Sequence, residues 1–297
     1  MVAAGAGDAA VAGALSFARM TREILPALGV GLGYREPFRT GLFLHRDAVD
    51  FLEITADHFF DAPRAKSEEL DLLAAHFRLI PHGLNLSLGS AEGLNERYLE
   101  KFAELVERVS PPWWSEHIAF TRAGGREIGH LTPVPWTREA LRALARNIAR
   151  AQREINLSLI LENISFTLTW PGAEMTEPEF LTRLIEETGC GLLLDVTNLY
   201  INSRNHGYDP RAFLEQLPLE QIVQLHFVGE EERAGEVIDS HASPTSPPIW
   251  DLLEEVLRLA PVKGAILERD DRLPPFKDLM PELAQARELG RVHKRWP

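Results

Sequence analysis

The chain has 297 residues, 45% of them apolar and 25% charged, with a formal net charge of -13. That is the composition of a soluble globular protein and a length normal for a single α/β barrel. The acidic balance, with no Lys/Arg cluster to relieve it, excludes a nucleic-acid binder that relies on phosphate neutralisation. A single cysteine, Cys190, excludes intrachain disulfides, thiolate zinc sites and protein-held iron–sulfur clusters, and it fits a reducing, cytoplasmic setting. No apolar run approaches the length of a membrane span, and the Ala/Gly-rich start lacks the basic region of a signal peptide. Residues 1–27 are expected to form a flexible tail, and residues 28–297 one barrel domain.

In chain order, short apolar runs alternate with amphipathic helical patterns. The strand candidates are 29–34, 50–54, 78–82, 113–118, 157–162, 191–196, 221–228 and 262–268. Helical stretches between them include 95–109, 137–154, 177–188 and 249–259. Thr137 ahead of Glu139, and Thr176 ahead of Pro178, are good helix starts. The runs are continuously apolar, as expected of a parallel sheet covered on both faces. Eight such units predict a single (β/α)8 TIM barrel.

The ends of the runs carry the chemistry. His82, His117, Glu162, Asp195, His226 and Glu268 close or directly follow six of them. In a barrel the carboxyl ends of the strands share one mouth, so residues far apart in sequence converge there. Asp239 and His241, expected on the loop after the seventh strand, would reach the same mouth. Each residue alone has an ordinary structural reading, His82 as a hydrogen-bonded histidine or Glu162 as a helix cap. Together they make four imidazoles and four carboxylates, and carboxylates sharing one pocket repel one another unless cations or protons intervene. Mixed imidazole and carboxylate donors without thiolate suit zinc, manganese or non-haem iron, and eight are too many for one tetrahedral ion. His45, His76, His130 and His293 have no such placement and read as surface or structural histidines. Cys190, at the entry of the sixth strand, reads as a buried structural thiol.

Seven ordered segments also carry a resemblance: HGLNLSLGS (82–90), SEHIAF (115–120), LILENIS (159–165), GCGLLLDVTNLYINSRNHGYDP (189–210), QLHFVG (224–229), IDSHASP (238–244) and ILERD (266–270). Across residues 29–270 the chain resembles the multinuclear non-haem iron-dependent oxidative enzymes, the family of the methanobactin-biosynthesis oxidase. The resemblance implies a barrel of xylose-isomerase type and two or three irons of mixed ferrous and ferric state. It also implies O2-dependent modification of a ribosomally made precursor peptide, often at cysteine, with a partner protein presenting the peptide. The metal ligands implied are His82, His117, Glu162, Asp195, Asn198, His226, Asp239, His241 and Glu268. Of these, His117, Glu162, Asp195 and Asp239 are expected to act at the reacting centre.

One departure falls after the second strand, where many members have Glu-Asn-Tyr-Met and this chain has Asp57-His58-Phe59-Phe60. Glu53, Asp57, His58 and His206 are candidates for substrate contact or ligand support. Two other functions fit parts of the pattern. A zinc- or manganese-dependent hydrolase or isomerase of endonuclease or sugar-isomerase barrel type would share the ligand order. A non-catalytic binding module would leave so many facing carboxylates without a purpose.

Overall fold

The protein, described over residues 25–297 by a computed structural model, is built on a closed ring of parallel strands. In chain order the strands are β1 (Gly29–Gly33), β2 (Phe51–Thr55), β3 (Arg78–His82), β4 (Trp114–His117), β5 (Ala119–Ala123), β6 (Arg126–Pro133), β7 (Leu159–Glu162), β8 (Gly191–Asp195), β9 (Ile222–Phe227), β10 (Gly229–Arg233), β11 (Glu236–Ser243) and β12 (Gly264–Leu267). The ring runs β1-β12-β9-β8-β7-β4-β3-β2 and closes on itself, which is the expected eight-stranded barrel. The other four strands form two antiparallel hairpins, β5–β6 and β10–β11, that extend the chain beyond β4 and β9. The tail expected over residues 1–27 lies almost wholly outside the described residues.

Nine α-helices are described: α1 (Arg39–Leu44), α2 (Arg64–His76), α3 (Glu96–Val109), α4 (Arg138–Glu154), α5 (Glu177–Thr188), α6 (Val196–His206), α7 (Pro210–Leu214), α8 (Pro247–Leu259) and α9 (Phe276–Val292). Their local causes are legible. Leu99, Phe102, Leu105 and Val106 repeat at helical spacing on α3 and are buried, while the Asn95 side chain accepts from the Tyr98 amide. Thr137 caps α4 in the same way. Thr176 and Glu179 form a reciprocal capping box at the start of α5, and Gly189 ends that helix in the left-handed conformation at φ 68°.

Alternation along the strands places the interior side chains. Phe51, Ile80, Trp113, Ile160, Leu193 and Ile266 pack together as a dry floor, with Leu25 and Leu28 against them. Residues i and i+2 of a strand share a face, roughly 6.6 Å apart. Two positions beyond each floor residue therefore come Glu53, His82, Ser115, Glu162, Asp195 and Glu268, all buried. Ser115 leads on to His117 and Gln224 to His226 by the same step. The strands' opposite faces, including Leu52, Leu161, Leu194 and Leu225, pack into the main core.

Floor and polar layer are joined by one hydrogen-bonded chain. Trp113 Nε1 donates to Gln224 Oε1 at 2.9 Å, and Gln224 Nε2 donates to Glu53 Oε2 at 2.6 Å. Trp113 and Gln224 are fully buried. Trp113→Phe is expected to cost roughly 2–4 kcal/mol, from a cavity plus an unfilled acceptor on Gln224. Denaturant unfolding checks this; a loss under about 0.5 kcal/mol would show that the floor does not need the indole.

Candidate metal centre

Register sets the first group of donors. β4 and β7 pair with His117 beside Glu162, and β3 brings His82 alongside Ser115 of β4. His82 Nε2 and His117 Nε2 lie 3.3 Å apart, and each is 3.4 Å from Glu162 Oε2. Four donors held around one ion by bonds of roughly 2.0–2.1 Å sit roughly 3.3–3.4 Å from one another. The triangle therefore has the edge lengths of a metal face. The ring nitrogens turned away are fixed by partners: His117 Nδ1 donates to the Gly83 carbonyl at 3.0 Å, and His82 Nδ1 is 2.8 Å from Ser115 Oγ. With its proton on Nδ1, neutral His117 presents a lone pair on Nε2 to the site.

Glu116, which the strand-end pattern does not reach, anchors this corner. Its carboxylate accepts from the amides of His117 at 2.9 Å and Leu86 at 3.2 Å. A Cβ at Gly83 would fall 2.4 Å from Glu116 Oε2, so only glycine lets the loop lie this close.

A second group shares Glu162. Asp195 and His226 are register partners on β8 and β9, and Glu268 follows β12. Glu53 lies 2.9 Å from His226 Nε2 and fixes the proton there, so His226 Nδ1 faces Glu162 Oε1 at 3.3 Å and Glu268 Oε2 at 3.1 Å. Asn198 donates its backbone amide to Asp195 Oδ1 at 2.8 Å while its own Oδ1 is buried without a partner. Asn163 clamps the same turn from both sides, accepting from the Asp195 amide and donating to the Asp195 carbonyl.

The third group shares Glu268. His241 Nδ1 lies 3.7 Å from Glu268 Oε1 and 3.6 Å from Asp270 Oδ2, while His241 Nε2 is 2.6 Å from Asp239 Oδ2. Asp239 and His241 are not on a loop, as expected, but on β11. A bulge puts them there: pairing with β10 jumps from Gly229↔Ser243 to Glu231↔Ile238, and His241 is left-handed at φ 49°. Such a kink re-aims side chains that regular pleating would point elsewhere. The Asp270 amide, donating to the His241 carbonyl, and Arg269, donating to the Ala242 carbonyl, hold it in place.

Glu162 Oε2, His226 Nδ1, Asn198 Oδ1, Asp239 Oδ1 and His241 Nδ1 are all buried without a hydrogen bond among the described residues. These orphans converge on the three groups, and a bound cation satisfies them together. Without one, protons must do so. Burial opposes charge on His117, yet Glu162, Glu116 and Glu268 outweigh it and lift His117 to about 9. Burial first, then Glu162 and Asp239, pushes Asp195 up to about 8. Burial would raise Glu162 and Glu268, but the surrounding histidines hold both below the usual carboxylate range.

The remaining candidates divide. Glu53, Thr55, His58, His82, Glu268 and Asp270 line a mouth cavity of about 290 Å³ together with Arg35, which pairs with Asp270. Burial, then Arg35 and Lys66, keep His58 below the usual imidazole range. The Asp57 carboxylate is taken up by Tyr98, the Leu84 amide and Asn85, so it fastens a loop. His206 stands outside the donor groups, stacked on Phe166 at 4.7 Å with Nε2 2.9 Å from the Phe166 carbonyl. Cys190 is buried beside Gln152, as expected. Asp270, Glu116 and Gln224 were missed. Two-residue spacing from Glu268 and from His226 points to Asp270 and Gln224, whereas Glu116 has no signal in a single sequence.

Fold and site define a parallel β/α barrel with buried imidazole and carboxylate donors clustered at one mouth. The chain belongs to the family of RiPP precursor modification enzymes MbnB/TglH/ChrH, whose profile matches residues 29–291. A UPF0276 protein of Rhizorhabdus wittichii is 38% identical, over 89% of this chain and 96% of its own length. One from Caulobacter vibrioides is 37% identical over 88% and 94%. Among solved structures, a D-tagatose 3-epimerase-like protein matches with TM-score 0.58 at 14% identity, covering 89% of this chain and 98% of its own. D-psicose 3-epimerase of Clostridium cellulolyticum matches at 0.57 and 10%, with coverages of 89% and 98%. These two share the xylose-isomerase-like barrel. No helix among the described residues is long and apolar enough to cross a membrane.

Two outcomes follow from this geometry. Glu53→Gln, which removes the carboxylate behind His226, should weaken metal binding roughly 10–100-fold with the fold intact; unchanged affinity in a chelator competition would remove Glu53 from the centre. The raised groups also set a pH dependence. A folded pKa above its unfolded value gives stability that is complete below the unfolded pKa and lost as pH rises through the folded one. For Asp195 that loss extends to about 8 and for His117 to about 9. Metal-free protein should therefore lose thermal stability from about pH 4 upward through Asp195, most steeply between about pH 6.5 and pH 8 where His117 adds to it, and finish near pH 9. Metal-loaded protein should not, and loading should release protons. Parallel melting curves for the two forms would refute this.

Proposed function

We propose that this protein is a multinuclear non-haem iron-dependent oxidative enzyme that modifies a ribosomally made peptide, at a cysteine, with O2 as co-substrate. The observation that carries the reading is the set of buried orphan acceptors around three donor groups, two of the groups sharing Glu162 and two sharing Glu268. His82, His117 and Glu162 would hold one ion; Glu162, Asp195, His226 and Glu268 a second; and His241, Glu268 and Asp270, beside Asp239, a third. Asn198, with its unpartnered amide oxygen, adds a donor to the middle group. Iron bound there supplies the redox and O2 chemistry that no side chain can.

The chain's own residues would position and protect. Glu53, Ser115 and the Gly83 carbonyl hold the three inner imidazoles in one tautomer and orientation. His58, Thr55 and Leu84 line the way in and would orient the peptide over the centre. Asp239 would hold His241 through Nε2, leaving Nδ1 free for the outer ion. The dry floor closes the opposite end of the barrel interior. Membership of a precursor-modifying family supports a peptide substrate, and the hairpins beside the mouth offer surfaces for a protein that presents it.

The test is the metal content of anaerobically purified protein, by elemental analysis with Mössbauer spectroscopy, for wild type and Glu162→Ala. The expected result is two or more irons per chain, with at least one lost in the variant because Glu162 faces two groups. Tight zinc or manganese with little iron would instead make the protein a hydrolase or isomerase, and no bound metal would sink both readings.

A further inference from the structure

A second cavity, of about 430 Å³, lies between the β7–α5 connection and the α6–α7 segment. Four aromatic side chains line it, Trp136, Phe166, Tyr208 and Phe213, with the His206 imidazole beside Phe166. Trp136 meets Phe166 edge-on at 5.6 Å, and Tyr208 stacks on Phe213 at 5.6 Å. Into this apolar wall the chain places Glu177, 8% exposed, with no hydrogen bond or ion pair among the described residues. The Tyr208 hydroxyl is buried without a partner as well. Asp209 adds a second carboxylate at the rim, and no lysine or arginine lines the cavity.

A lone carboxylate among aromatic rings is costly to bury. Burial alone pushes Glu177 up to about 8. Nothing in the capping of α5 requires it, since Thr176 and Glu179 close that helix end between them. An aromatic box with one buried carboxylate is the complement of a cation on an apolar stem: the rings attract the charge, the carboxylate pairs with it, and the walls cover the methylenes. A groove links the cavity to the metal centre. Phe166 is shared with a groove of about 310 Å³ that passes between the two hairpins, along Asn205 and Val237, to Asp239. A chain lying in that groove with one residue near Asp239 runs past the cavity mouth.

We infer that this cavity is an anchor pocket for a lysine or arginine side chain of the peptide substrate, with Glu177 as its counter-ion and Trp136, Phe166, Tyr208 and Phe213 as its walls. The inference rests on the reading of the protein as a peptide-modifying enzyme. Glu177 is a specificity residue remote from the metal donors, so it sets affinity rather than the chemical step.

The test is a binding experiment on the full-length chain by ligand-observed NMR, with four probes: butylguanidinium, n-pentanol, and two N-acetylated glycine-rich hexapeptides that differ only in arginine or norleucine at one position. Wild type should bind the arginine peptide at least tenfold more tightly than the norleucine peptide, and butylguanidinium more tightly than pentanol. Glu177→Gln should fold, with unchanged or higher Tm at pH 8, and should bring both ratios close to one. Ala212→Trp, at the exposed rim, should block every probe. Equal binding of charged and neutral probes to wild type would overturn the counter-ion role. Binding of butylguanidinium without the arginine peptide would make this a small-amine site and overturn the peptide assignment. Because the readout needs neither iron nor turnover, it separates failure of the pocket from failure of the iron reading.

Discussion

Everything in this barrel answers to one electrostatic problem: buried carboxylate oxygens of Glu162, Asp195 and Glu268 lie within 4.8 Å of one another, with Glu53 buried behind His226, above an apolar floor. At an effective dielectric near 20, two unit charges roughly 5 Å apart repel by roughly 3 kcal/mol. Three such pairs come to about 10 kcal/mol, comparable with the usual margin of stability for a domain, roughly 5–15 kcal/mol. The histidines relieve the repulsion only as far as they carry protons, and Asp195 keeps its own. The arrangement is self-consistent with protons but complete with cations, which satisfy carboxylates and imidazole lone pairs at once. The orphan atoms Glu162 Oε2 and His226 Nδ1 lie in a well-packed core, where bound cations would satisfy both.

Holding such a cluster demands rigidity from outside it. Each inner imidazole is gripped by its outward nitrogen, and the grips lead into the scaffold. The one on His226 passes through Glu53 and Gln224 to the indole of Trp113 in the floor. Glu116 ties His117 to the loop after β3, at a place where Gly83 permits the approach. The outer group is held differently, by a bulged hairpin whose carbonyls are pinned from the β12 side. The centre thus has an inner part fixed by the barrel and an outer part fixed by an inserted hairpin, and the mouth lies where the two meet.

Much of this was legible in the chain. A strand interior obeys a two-residue period, so a floor residue such as Ile160 commits Glu162 to the same cavity, and the end of each run marks the height at which donors converge. Eight runs therefore predict the barrel, and their terminal residues converge at its mouth. What escaped depended on contacts rather than periods. Ser115 and Gln224 sit inside runs whose apolar neighbours masked them, and Glu116 faces outward until the loop after β3 folds over it. The β10–β11 hairpin reads as a loop, and β5–β6 carries no strand signal, because their strands are polar and half-exposed, without the apolar face that announces a strand. His241 lies beside Glu268, and Asp239 beside His241, by way of a bulge that no spacing rule gives.

The division between barrel and insertions also bears on how one centre could serve different peptides. Donors on barrel strands cannot move without disturbing the floor and its hydrogen-bonded chain, so change there is strongly constrained. The two hairpins, the β7–α5 connection and the α6–α7 segment pack mostly through partly exposed residues and carry exposed apolar side chains, Leu168 and Trp170 among them. Those surfaces can vary while the metal donors stay fixed. Specificity built there selects which residue reaches the mouth without altering what happens once it arrives. The aromatic cavity around Glu177 has that character: it is lined by connections and helix ends outside the ring of strands, joins the groove at Phe166 and includes none of the candidate metal donors. A rigid interior with variable rims is the division of labour that the packing of this chain supports.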